Sequence, residues 1–162
     1  MFCPNSFSYH TTVSLRKAFI SESLKKVPHS SPLFPNFQSS FYLNKHNLLF
    51  IGCQFGQFII ANAENLEIIQ VVSIDESKYG SAMGTNIENF FYIEKNEIIL
   101  VCSEKGVYAY RTIGPYEQAF FQKNWFGYSI AGFFALPQTD RFFIFLQRGL
   151  EGLLEERQIE TP

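Results

Sequence analysis

The 162-residue sequence is short of charge, of sulfur-containing residues and of tryptophan, and each shortage narrows what it can be. Charged side chains make up only 17% and the formal net charge is −2. The clustered Lys and Arg that phosphate contacts demand are therefore missing, and nucleic acid is not expected as a partner. The three cysteines, Cys3, Cys53 and Cys102, are odd in number and widely spaced, with no C-x-x-C pair. A disulfide framework and a zinc or dithiol redox site are both excluded on that ground. No Asn-X-Ser/Thr acceptor occurs, which agrees with a reducing compartment. No apolar run approaches the ~20 residues that span a bilayer, and no signal-peptide core opens the chain. The expectation is a soluble, cytoplasmic protein without a membrane span.

Catalytic constellations are scarce too. All three histidines, His10, His29 and His46, lie outside the apolar runs described below, so a Cys-His or Ser-His-Asp site would have to recruit one from an arm or a turn. The segment Gly80 to Thr85 lacks the Gly-Lys-Ser/Thr ending of a phosphate loop. No cofactor or metal is expected, and the chain is read as a non-enzyme.

What the sequence does have is aromatic and apolar bulk: nineteen Phe, eight Tyr and 46% apolar residues overall. That content suits folded β-structure rather than disorder. Charge is spread unevenly. Residues 1–46 hold five basic residues and one acid, the remaining 116 eight basic and fourteen acidic. The first 37 residues, rich in Ser and Pro, read as an arm or linker. Leu15, Phe19, Ile20, Leu24 and Val27 share one side of a short amphipathic helix expected from about Ser14 until Pro28 ends it. This basic, acid-poor start leaves organelle targeting open.

Residues 38–162 repeat. The stretches FYLNKHNLLFIGCQFGQFII (41–60), FYIEKNEIILVCSEKGVYAY (91–110) and FALPQTDRFFIFLQRGLEGL (134–153) align without a gap, at offsets of 50 and 43 residues. Phe41, Phe91 and Phe134 coincide, as do Gly56, Gly106 and Gly149, and Lys45 matches Lys95. Each copy reads as strand, polar turn, apolar strand, turn closing on Gly, strand. A type I turn whose next residue takes positive φ explains the glycines. The runs Leu48 to Cys53, Ile98 to Cys102 and Phe142 to Leu146 are continuously apolar, so both faces of each are expected to be covered. Outer strands are expected at Leu66 to Val72 and at Tyr116 to Phe121. The units fall at about 38–73, 86–122 and 126–160, the third without a fourth strand.

In this grammar the chain resembles the WD40-like β-propeller repeat superfamily, and the Gly52 to Gly56 stretch with its flanking strands is also similar to the citron-homology type. The resemblance implies an all-β fold: a partial propeller of about three antiparallel blades behind a mostly irregular arm. No Trp-Asp dipeptide closes a unit and no Gly-His opens one, so the Asp and His network of WD40 blades has no counterpart. The function so implied is a protein–protein interaction or scaffold module, part of a larger propeller or self-associating assembly. Two alternatives stand beside it. A propeller enzyme or small-ligand binder would converge Asp75, Glu76 or Asp140 on one concave pocket. A truncated product without independent function would fold poorly alone. For the scaffold reading the candidate contacts are Lys123, Trp125 and Tyr128, unless the rings pack between blades, together with Asp75, Glu76 and Tyr79 on the polar loop Asp75 to Thr85.

Overall fold

A computed structural model describes residues 37–54, 56–74, 86–125, 127–136 and 138–159. The expected helix at Ser14 to Val27, and the loop bearing Asp75, Glu76 and Tyr79, lie outside the described residues.

Three antiparallel sheets follow one another along the chain. The first runs β1 (Phe37–Leu43), β2 (Leu48–Cys53), β3 (Gln57–Asn62) and β4 (Ile68–Ser73), and the second β5 (Ile87–Ile93), β6 (Ile98–Ser103), β7 (Gly106–Arg111) and β8 (Phe121–Asn124). The third has β9 (Ser129–Ala135), β10 (Arg141–Arg148) and β11 (Glu151–Gln158). Every strand pairs with its sequence neighbour, so each sheet is a plain meander, and the first strands of successive sheets lie side by side.

The repeat is reproduced in register. Phe41 pairs with Phe50, Phe91 with Leu100 and Phe134 with Phe143, each across nine residues. In the first two blades the turn is a short 3-10 segment, Asn44–His46 and Glu94–Asn96, closed by Asn47 and Glu97 at φ 53° and 52°. Both first strands also carry a register shift at the same place, Phe37/Ser39 and Ile87/Asn89.

Packing lies between the sheets. Phe50, Phe58, Ile60 and Val72 of the first blade meet Phe90, Ile99, Val101, Tyr108 and Tyr110 of the second. Phe58 sits edge-on to Phe90 and Tyr110, with centroids 5.9 and 5.4 Å away. The second seam joins Ile98, Leu100, Cys102, Val107 and Trp125 to Phe142, Ile144 and Leu146. Gly52 lies where the first seam is tightest. A Cβ there would come within 2.6 Å of the Ile87 carbonyl oxygen and 2.8 Å of its Cγ2, while Ser39 Oγ donates to that carbonyl at 2.8 Å.

Four expectations need correction. The outer strand of the second blade is Phe121–Asn124, not Tyr116 to Phe121. Tyr116 is instead buried, its ring edge-on to Phe50 at 6.3 Å and its hydroxyl donating to the Thr112 carbonyl four residues upstream, which folds 112–116 into a loop. The outer strand of the first blade begins two residues late, because Leu66 takes φ 59° in the preceding turn. Gly56 and Gly149 have φ 64° and 61°, but Gly106 does not take positive φ. That turn is closed by Ser103, whose buried hydroxyl accepts from the amides of Lys105 and Gly106 at 3.3 and 3.1 Å and donates to the Gly106 carbonyl at 3.2 Å. Finally, β2 and β6 are covered on both faces, whereas β10 alternates between buried and exposed residues. Nothing among the described residues covers its second face.

Candidate functional site

The last correction defines the surface of interest. In an antiparallel sheet, residues directly opposite one another share a face. Phe134, Phe143 and Glu156 form one such row, and Gly132, Phe145 and Leu154 the next. Phe134, Phe145 and Leu154 are 54%, 51% and 57% exposed. The Phe145 ring lies across Gly132, where an added Cβ would stand 3.4 Å from its Cδ2. An Arg141–Glu156 ion pair bounds this apolar face at one end, and Ser129 and Gln147 bound it at the other.

A second feature recurs at the turns. Lys45 of the first blade donates to the carboxylate of Glu97 in the second. The bond holds Glu97 below the usual carboxylate range and raises the ammonium. One repeat further on, Asp140 occupies the position of Glu97 and Lys95 that of Lys45. Asp140 is held low chiefly by a hydrogen bond from Gln158 Nε2 at 2.8 Å, and Lys95 adds to the effect. In the third blade the matching residue is Gln138.

The sequence-derived candidates are distributed as follows. Trp125 packs between the second and third blades. It is 8% exposed, packed in the second seam, and its indole N–H donates to Glu155. Desolvating the ring while satisfying its only donor gives it the inter-blade role. Lys123 Nζ stands 5.9 Å from that ring, and Arg148 lies 5.0 Å from the ring of the half-buried Tyr128. His46 Nε2 is 3.4 Å from Thr112 Oγ1, again across a seam. Burial pushes the Cys53 thiol up to about 12 and Cys102 well above its ordinary value, which leaves both as poor nucleophiles. Asp140 is committed to Gln158, and Asp75 and Glu76 lie outside the described residues.

A cleft of about 240 Å³ lies between the outer parts of the first two blades, lined by Ser73, Ile74, Tyr108, Tyr110, Glu117, Gln118 and Gln122. Among the described residues it holds a single carboxylate and no cation. Among the described residues, no group of three or more His, Cys, Asp or Glu could hold a metal ion, and no helix is long and apolar enough to cross a membrane.

The comparisons agree with this geometry. No protein-family model matches the sequence, and no curated protein matches it either. Among solved structures, the WD40 domain of Pan2 from Neurospora crassa matches with a TM-score of 0.53 at 13% identity, over 76% of this chain and 38% of that one. The β-propeller domain of Cps50 (Swd1) from Myceliophteria thermophila matches with a TM-score of 0.50 at 12% identity, over 78% of this chain and 41% of that one. The fold is a partial β-propeller, similar in architecture to these two domains. At these identities the likeness concerns the fold, and the propeller arc spans about two fifths of the length of either match.

Proposed function

We propose that the propeller arc is a non-catalytic protein-interaction scaffold, which works by presenting sheet faces and turns to other protein surfaces. The observation that carries this reading is the uncovered apolar face of the third blade, flanked by paired charges. Apolar surface of this kind on an otherwise packed β-protein marks an association site. The fold is used widely for such roles, an argument by analogy alone. Asp140 is hydrogen-bonded to Gln158, Cys53 and Cys102 are buried thiols, and among the described residues lining the cleft Glu117 has no basic side chain beside it of the sort acid–base catalysis needs. Lys123 and Tyr128, at the edge of the second seam, are further contact candidates, as are Asp75, Glu76 and Tyr79.

The test is binding of an environment-sensitive apolar dye to the purified 162-residue chain, read together with its sedimentation. A folded chain that binds the dye, or that buries the face by associating, supports the scaffold reading. A compact monomer that binds none overturns it.

A further inference from the structure

We propose that the arm preceding β1 caps the first blade: its apolar stripe, Leu15, Phe19, Ile20, Leu24 and Val27, lies across the face of that sheet turned away from the second blade. The inference goes beyond the scaffold reading and does not depend on it.

That face is covered. Cys53 and Ile59 are fully buried and Ile51 nearly so, with Leu49, Ile68 and Val71 packed beside them. No described residue outside the first blade belongs to this cluster, and the second blade packs on the other face, against Phe50, Phe58 and Ile60. An uncovered sheet face is different: Phe134, Phe145 and Leu154 on the third blade are each about half exposed. The cover is therefore drawn from this chain's own residues outside the described ones, where two stretches are long enough, 1–36 and 75–85. Residues 75–85 run from Ile74 to Asn86 and Ile87; Ile74 and Ile87 pack into the seam on the other face, and Tyr79, Ala82 and Met83 are their whole apolar content. The arm carries the five-residue stripe and joins β1 at Phe37, whose ladder partner is Cys53 itself. Residues 28–36 can reach about 30 Å when extended. A helix over 14–27 is about 21 Å long, close to the ~20 Å of a six-residue strand. Charge agrees as well: Arg16, Lys17, Lys25 and Lys26 on the arm face a blade with Glu64 and Glu67 on the turn leading into Ile68. A stack of sheets needs such an end cover, because its leading face would otherwise stand apolar in water.

Two cysteines make the test internal to the whole chain, since Cys53 lies under the proposed cap and Cys102 in the second seam. With Phe19→Glu and Leu24→Glu together, native alkylation of Cys53 by iodoacetamide should quicken by about tenfold or more while Cys102 keeps its rate. Tyr79→Glu with Met83→Glu should leave Cys53 protected. In the unaltered chain, amides of residues 15–27 should exchange with deuterated solvent at least about tenfold more slowly than in a free peptide. Protection of Cys53 that survives the arm substitutions, or that is lost with the loop substitutions instead, overturns the inference. Should Cys102 open together with Cys53, the altered chain has unfolded and the exchange measurement decides: exchange at the free rate overturns the cap, and slowed exchange supports it. None of these results bears on the open face of the third blade, so the scaffold reading stands or falls separately.

Discussion

Ser103 shows how much of a turn one hydroxyl can hold. It is fully buried, and its three hydrogen bonds replace the backbone conformation that Gly56 supplies in the first blade. Ser103→Ala leaves two amides and a carbonyl to find new partners. A loss of about 1–3 kcal/mol is expected in chemical denaturation, and a neutral result would mean that water takes over the hydroxyl's role. The two buried cysteines make a different demand. With their thiols kept protonated by burial, Cys53 and Cys102 should resist alkylation in the native chain and react after unfolding. Mapping of the modified residues by mass spectrometry checks this, and rapid native labelling of either would show that its seam opens.

At the scale of strands and turns, the order of elements was readable because each repeat is local. Aromatic residues at 41, 91 and 134, an apolar run seven to eight residues later and a glycine fifteen residues later determine a hairpin without any distant contact. What the local sequence does not carry is set by contacts between blades. Tyr116 looks like a strand residue until its hydroxyl is seen to return to Thr112, an arrangement that takes the aromatic side chain out of the ladder and into the core. The match of Lys45 with Lys95 was legible, but its meaning was not. The acid that Lys45 meets, Glu97, stands in the next repeat, and that offset becomes apparent only when sheets are laid against one another. The apolar run Phe142 to Leu146 misled for the opposite reason: composition cannot tell a covered face from an uncovered one. Gly52 belongs to this scale as well. Its missing side chain lets the first sheet approach Ile87, so Gly52→Ala should destabilise the chain by about 1–3 kcal/mol. An unchanged denaturation midpoint would show that the first seam has slack.

For the whole molecule, burial of weak acids sets an upper pH limit. The Cys53 thiol and the Tyr116 phenol are each pushed up to about 12, and Tyr110 is raised by burial as well. The folded chain therefore holds these protons more tightly than the unfolded chain. Their contribution to stability is full below the ordinary values of 9.0 and 10.0 and is lost as pH rises toward about 12. Resistance to denaturant should fall through that window while tyrosinate absorbance rises with unfolding; a constant midpoint would mean that these groups stay accessible to water.

The plain meander, with every strand bound to its neighbour in sequence, has a consequence for folding. No ladder ties one end of the described chain to the other, so order can start in any hairpin and spread, and opening is graded rather than all-or-none. The second blade alone has a described neighbour on each side. Its central amides, in β6 and β7, should be the last to exchange with deuterated solvent, after those of β10. Slowest exchange in β10 would reveal that the outermost leaf is the nucleus instead.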